Sequence, residues 1–301
     1  MLEYNRAVSF APVPPLVPGA EVAVIAPSSP FDREIFERGL AVLASRYRPV
    51  IAPHLFERHR HLAGTDEHRL ADLAQAFSNP ATGAIFTVRG GYGAARLLPH
   101  FTPAPRALVG FSDTTALHAV MQVRGLRSVH GPVLTQLGRL PPAAAVRLFD
   151  ALEGRPLAPL AGTRTITPGV ASGPLLGGNL SVLSRLVGTP FMPSLRGAVL
   201  LLEDVGERPY RLDRIWTHLA QAGAFEGVAG VALGELTGCE EPGASWTAAD
   251  VLDELAVTLG VPCLGGLPIG HGEVNDAVVL GAQVRLDATT RRLEFPQGLC
   301  S

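Results

Sequence analysis

Short apolar runs recur along the first half of this chain, each closed by a tight turn and followed by a helical pattern. Residues 21–26 (Glu-Val-Ala-Val-Ile-Ala) stop at Pro27-Ser28-Ser29-Pro30, residues 84–88 (Ala-Ile-Phe-Thr-Val) stop at Arg89-Gly90-Gly91-Tyr92-Gly93, and residues 107–110 stop at Phe111-Ser112-Asp113. Runs of this kind, without alternation, belong to strands covered on both faces, as in a parallel sheet. Helices with legible ends lie between them. Ser29 and Pro30 supply a cap and a first helical residue for a helix reaching about Arg46. Thr65 caps a second helix whose inner face is Leu70, Leu73, Ala74 and Phe77 and which closes at Asn79-Pro80. Strands near 49–52 and 127–129, and helices from about Ala94 and over 113–124, continue the alternation. Parallel strands joined by helices use right-handed crossovers, so the expected fold class is α/β with a doubly wound, mostly parallel N-terminal sheet.

A chain of 301 residues exceeds the usual size of one core, which favours two domains. After a helix over 141–152, residues 156–172 are rich in Pro, Gly and Thr without periodicity and read as a linker. The expected division is therefore 1–155, the linker, and 173–301. In the second part, Gly177-Gly178-Asn179 precedes a helix over 180–187, and a buried strand over 197–202 runs into Glu203-Asp204. A helix over 209–222, a strand over 228–233, a helix at about 247–257 and short closing strands make this part a smaller, β-rich α/β unit.

Several chemistries are excluded by one absence. All 25 Lys+Arg residues are arginine, so a P-loop, a pyridoxal Schiff base and a Ser-x-x-Lys site each lack their lysine. No His-Glu-x-x-His occurs, and His59-Arg60-His61 reads as a solvated loop, so neither a metal nor a cofactor is expected. A net charge of -2 without a basic block argues against nucleic acid and anionic membrane surfaces as partners. No apolar run is long enough to span a bilayer, and Pro12, Pro14, Pro15 and Pro18 interrupt the place of a signal peptide. Cys239, Cys263 and Cys300 are scattered and odd in number, as in a reduced, cytoplasmic protein.

The strand-to-helix corner at Ser112 pushes a hydroxyl out of the fold and aims the next N–H, that of Asp113, into the same space. That suits a nucleophile and half of an oxyanion hole, although a helix cap explains Ser112 equally well by itself. Gly90 or Gly91, on the preceding strand end, is a candidate second donor, and Arg89 a candidate grip for a substrate carboxylate. His118 lies inside a helix and reads as packed. His130, at a strand end, and His271, between glycines with no apolar face to pack into, are rival bases. Glu203 and Asp204 are rival orienting acids, one of them expected to pair with Arg208, Arg211 or Arg214. Glu240 and Glu241 read as a solvated turn or as acceptors for an ammonium.

Nearly the whole chain resembles the LD-carboxypeptidase (muramoyltetrapeptide carboxypeptidase) family of serine peptidases. The resemblance lies in Val24-Ile25-Ala26-Pro27-Ser28-Ser29, Ala63-Gly64-Thr65-Asp66, Arg89-Gly90-Gly91-Tyr92-Gly93, Gly110-Phe111-Ser112-Asp113 and His130-Gly131-Pro132. Gly177-Gly178-Asn179-Leu180, Leu202-Glu203-Asp204, Tyr210-Arg211-Leu212-Asp213-Arg214 and Gly270-His271-Gly272 complete it. The resemblance implies Ser112 as nucleophile, Glu203 as orienting acid and His271 as base, and demotes His130 and Asp204. It implies a flavodoxin-like N-terminal domain, a homodimer, an active site in the cleft between two domains, and removal of the terminal D-alanine from murein tetrapeptides in cytoplasmic cell-wall recycling. Two alternatives remain: a self-immunity peptidase of the same family acting on microcin-type peptidyl nucleotides, and a non-catalytic ligand-binding protein in which Ser112 is only a cap.

Overall fold

The computed structural model describes residues 9–301; the first eight residues of the expected N-terminal domain lie outside it. Strand β1 (Glu21–Ile25) leads to helix α1 (Arg33–Ala44) and β2 (Arg48–Ile51), then α2 (Asp66–Ser78) and β3 (Ala84–Thr87). A 3₁₀ stretch (Ala94–His100) precedes β4 (Ala107–Gly110), and a 3₁₀ turn (Ser112–Thr114) opens α3 (Thr115–Val123). β5 (Ser128–His130), α4 (Leu134–Leu137) and α5 (Pro142–Leu152) follow. The five strands lie in the order β2-β1-β3-β4-β5, all parallel. This is the flavodoxin-like order, in which the chain reverses direction across the sheet between β1 and β3 and leaves a crevice at their carboxyl ends. Every residue of β3 and β4 is buried, as their unbroken apolar runs require.

The helix caps follow local chemistry. Thr65 caps α2, its hydroxyl accepting from the His68 N–H at 3.2 Å. For α1 the expected cap is displaced: Asp32, not Ser29, accepts from the Ile35 N–H at 2.9 Å. The Ser29 hydroxyl is engaged across the crevice instead, accepting from the Tyr92 N–H at 3.1 Å.

Residues 156–172 do more than link. They contain β6 (Leu160–Ala161), β7 (Arg164–Thr167) and the start of β8 (Val170–Asn179). After α6 (Leu180–Ser184), β9 (Val199–Val205), α7 (Pro209–Gln221), β10 (Gly230–Thr237), α8 (Ala248–Val257) and β11 (Cys263–Gly265), the chain returns to the first sheet. There β12 (Val278–Leu280) pairs antiparallel with β5, opposite Ser128, Val129 and His130. β13 (Gln283–Asp287) and β14 (Arg292–Glu294) close an eight-stranded second sheet in the order β6-β14-β13-β8-β9-β10-β11-β7. Its centre is parallel, β8 against β9 and β9 against β10, and its flanks are antiparallel. The Pro-, Gly- and Thr-rich, non-periodic composition of 156–172 hides short edge strands, whose pairing partners lie far along the chain. The segment between β11 and β12 crosses from one sheet to the other and carries His271.

The three cysteines are free. Among the described residues no helix is long and apolar enough to cross a membrane.

Candidate active site

Ser112 sits at the carboxyl end of β4 with φ +61, in the left-handed region. A non-glycine residue there costs on the order of 1–3 kcal/mol and persists only where its surroundings impose it. They do so here. Phe111 is buried beneath it, and the Asp113 carboxylate accepts from the Ala94 N–H at 2.8 Å. The Thr114 hydroxyl meets that of Thr87 at 3.2 Å. No side chain caps either the 3₁₀ turn or α3, so the hydroxyl of Ser112 is not spent on a helix end. Burial pushes the Asp113 carboxyl up from its ordinary range.

The glycine turn after β3 lies against this corner. A Cβ on Gly90 would stand 2.7 Å from the Ser112 Cβ and 3.2 Å from the Asp113 nitrogen, so only glycine lets the two backbones meet. Gly91 instead packs on the Ser29 side chain. Arg89 is exposed and donates from Nη1 to the Pro30 carbonyl at 2.5 Å.

The second sheet supplies the polar partners. β8 runs beside β9 with Asn179 opposite Glu203, and the Asn179 N–H donates to the Thr115 hydroxyl at 3.0 Å. Thr115 opens the helix that follows Ser112, so this bond fastens β8, the strand paired with the one that carries Glu203, to the Ser112 corner. Glu203 is fully buried, and its Oε2 stands 2.8 Å from His271 Nδ1. A carboxylate on Nδ1 fixes the proton there and leaves the lone pair on Nε2. The imidazole is not without apolar support: its ring lies 4.5 Å from that of Phe111, centroid to centroid. Gly270, at φ +133, allows the loop to pass close over Glu203.

The loop is braced from both sides. The Gly270 N–H donates to Asn275 Oδ1 at 3.0 Å, Asn275 Nδ2 donates to Gln136 Oε1 at 2.8 Å, and Gln136 Nε2 returns to the Gly270 carbonyl at 3.3 Å. On the other side Glu235, at the end of β10, meets the Gly272 N–H; burial raises its carboxyl, against that hydrogen bond. Neither Gln136 nor Glu235 stands out in the sequence. The one signal for Glu235 is its place just after the apolar run of a strand, the same place that draws attention to Glu203.

The rival groups are accounted for. His118 is buried with Nε2 2.8 Å from the Gly110 carbonyl oxygen, and burial lowers its pKa to about 4. His130 is fully buried, neither ring nitrogen has a partner among the described residues, and burial holds its pKa well below the imidazole range. Asp204 accepts from the Ser181 N–H and hydroxyl at 2.9 and 2.6 Å and from Asn179 Nδ2 at 3.3 Å. The expected arginine partner is therefore wrong for both acids: Arg208 pairs with Glu241 at 2.8 Å and Arg211 with Glu207 at 3.4 Å. Glu203 and Asp204 lie inside β9 and point to its opposite faces, both of them covered, while the arginines ride on or beside the exposed face of α7. Glu240 lines a cavity of about 350 Å³ that Glu235 also borders.

Models of the LD-carboxypeptidase N-terminal and C-terminal domains match residues 22–131 and 172–286. A putative carboxypeptidase of Synechocystis sp. is 39% identical over 290 residues, spanning 93% of this chain and 96% of its own. The murein tetrapeptide carboxypeptidase of Pseudomonas aeruginosa is 35% identical over 297 residues, spanning 90% and 94%. Among solved structures, the microcin C7 self immunity protein in complex with aspartyl sulfamoyl adenosine superposes with a TM-score of 0.88 at 22% identity, covering 97% of this chain and all of its own.

Proposed function

The chain belongs to the LD-carboxypeptidase family, and from that premise we propose that it is a cytoplasmic, homodimeric serine carboxypeptidase. Its substrate on this reading is a murein tetrapeptide, from which it removes the terminal D-alanine by hydrolysing an L,D bond during cell-wall recycling. On this reading the chain divides into domains 1–155 and 173–301, with β6 and β7 of 156–172 joining the second sheet and β12 returning to the first, and the site lies where the two sheets meet. The observation that carries the reading is the 2.8 Å contact between His271 Nδ1 and a carboxylate with no solvent exposure, on a loop packed against the residue before a strained serine.

In this reaction His271 Nε2 takes the proton from Ser112 Oγ as the oxygen bonds to the carbonyl carbon of the residue before D-alanine. The negative charge that develops on the carbonyl oxygen is held by the N–H of Asp113 and of Gly90 or Gly91. Glu203 holds the Nδ1 proton and stabilises the imidazolium without taking that proton. The C–N bond breaks, the amine of D-alanine leaves with the proton from Nε2, and an ester on Ser112 remains. Water attacks that ester with His271 again as base, releasing the tripeptide carboxylate and restoring the hydroxyl. Arg89, exposed at the rim of the glycine turn, grips the free carboxylate that marks an exopeptidase substrate.

The murein reading is favoured over the microcin one because it is supported by a relative at 35% identity, whereas the microcin likeness at 22% speaks for the fold. Incubation with a muropeptide mixture, followed by mass spectrometry, tests it. Conversion of tetrapeptides to tripeptides, with a fluorophosphonate adduct on Ser112 that His271→Ala abolishes, is the expected result. Cleavage of an aminoacyl-sulfamoyl-adenosine with tetrapeptides untouched refutes the murein substrate; a folded protein inert to both substrates and to the probe refutes catalysis.

A further inference from the structure

Away from Ser112, the fold gathers three side chains whose sequence spacing matches no familiar motif. His54 and Glu57 stand in the loop after β2, joined by a turn in which the Glu57 N–H donates to the His54 carbonyl at 3.0 Å. His68 stands in the first turn of α2, and one ligating atom from each of the three residues lies within 4.8 Å of the other two. The two imidazoles are stacked, with centroids 4.2 Å apart and planes 18° from parallel. His68 Nδ1 lies 2.7 Å from Glu57 Oε2, and His54 Nδ1 lies 2.8 Å from Asp72 Oδ1.

We propose that His54, Glu57 and His68 bind a borderline divalent transition ion, zinc(II) being the best match, which clamps the loop after β2 to α2. Two imidazoles and one carboxylate are a donor set that zinc takes, with water completing a tetrahedron. Calcium and magnesium want more oxygen ligands than this set offers. Asp72, nearly buried on the inner side of α2, holds the His54 ring through Nδ1 and leaves Nε2 to ligate, as outer carboxylates do at metal-bound histidines. Glu57, Glu67 and Asp72 all set negative charge around His68.

The fit is close. Metal–ligand bonds of about 2.0–2.1 Å place tetrahedral donor atoms roughly 3.3 Å apart. The 2.7 Å contact between His68 and Glu57 then opens slightly as the ion replaces their shared proton. The third ligand closes in by rotation of side chains that are 30–44% exposed. The loop so fastened touches the crevice, since the Ala63 N–H donates to the Ser28 carbonyl at 2.9 Å and the His61 and Tyr92 rings are 5.8 Å apart. The ion stiffens that wall and takes no part in the chemical step at Ser112.

The test uses the full chain stripped with chelator, titrated with zinc(II) by calorimetry and with cobalt(II) by absorption. One ion per chain, the intense visible bands of tetrahedral cobalt(II), and a thermal midpoint raised by on the order of 5 °C at a hundredfold excess over Kd are expected. His54→Ala and His68→Ala each abolish this tight binding, Asp72→Asn weakens it about 10–100-fold, and the double change His59→Ala/His61→Ala leaves it intact. The thermal midpoint of each metal-free variant reports its folding, and His68→Gln replaces His68→Ala should the latter not fold. Absence of binding, binding only at millimolar metal, or binding that survives His54→Ala and His68→Ala overturns the site.

Discussion

Glu203→Gln isolates the electrostatic work of the buried acid, because glutamine has the same shape and no charge. The Nδ1–Oε2 contact of 2.8 Å puts the carboxylate and imidazolium charge centres roughly 4 Å apart. At an effective dielectric of about 20 a unit pair at that distance is worth about 4 kcal/mol, or roughly 10³ in rate at ~1.36 kcal/mol per decade. The amide adds a second fault. Turned with its NH₂ toward His271, it forces the proton to Nε2 and removes the base altogether, so the total loss in kcat reaches about 10³–10⁴. KM stays within a few-fold, since Glu203 has no solvent exposure and touches no substrate. Stability moves the other way or not at all. Glu203 Oε1 is buried with no hydrogen-bond partner among the described residues, and replacing a half-satisfied buried charge by a neutral group relieves desolvation. Steady-state release of D-alanine from a murein tetrapeptide, read beside a thermal melt, decides the matter. A variant within tenfold of the parent kcat refutes the role given to Glu203, whatever its stability.

Other perturbations probe the remaining parts. Gly90→Ala drives a methyl to 2.7 Å from the Ser112 Cβ; kcat falls by about 10²–10³, the cost of a displaced oxyanion donor, while circular dichroism is unchanged. Arg89→Ala removes a charged grip worth about 1.5–3 kcal/mol, so kcat/KM on the tetrapeptide falls by roughly 10–150-fold and fluorophosphonate labelling of Ser112 does not; unchanged kinetic constants discard the contact. The pKa of His118, lowered to about 4 in the fold from about 6.5 in the unfolded chain, contributes stability that is full above pH ~6.5 and is lost as pH falls toward 4. Melting between pH 7 and 4 shows this slope, and His118→Gln, which keeps a donor for the Gly110 carbonyl, flattens it; an equal slope in both proteins removes His118 as its source.

What could be read from the sequence divides along physical lines. The buried strands β1, β3 and β4 announce themselves because a strand covered on both faces must be apolar throughout, and Thr65 announces α2 because its hydroxyl serves an N–H three residues on. Both signals are local. Ser29 misleads for the same reason: its composition fits a cap, but its hydroxyl finds the Tyr92 N–H, 63 positions away, and Asp32 takes the cap. The strands hidden in 156–172 are edge strands whose identity depends on partners more than 90 residues distant, so composition alone reads them as a tether. The arginine pairing fails because sequence nearness says nothing about burial: β9 is covered on both faces, so Glu203 and Asp204 are both buried, whereas Arg208, Arg211 and Arg214 are exposed.

The His271 loop makes the same point about the site. Its bond partners are Glu203 on the second sheet and, through Asn275, Gln136 on α4 beside the first. Its two ends are strands of different sheets, β11 in one and β12 in the other. A histidine anchored to only one sheet would shift against Ser112 with every small rotation between the two layers. Tied to both, it is held by the same contacts that hold the layers together, which is the condition a base needs for reproducible distances at the reacting atoms. The crossing strand β12 is thus more than an edge closure for the first sheet: by pairing with β5 at His130 it sets where the loop must come down.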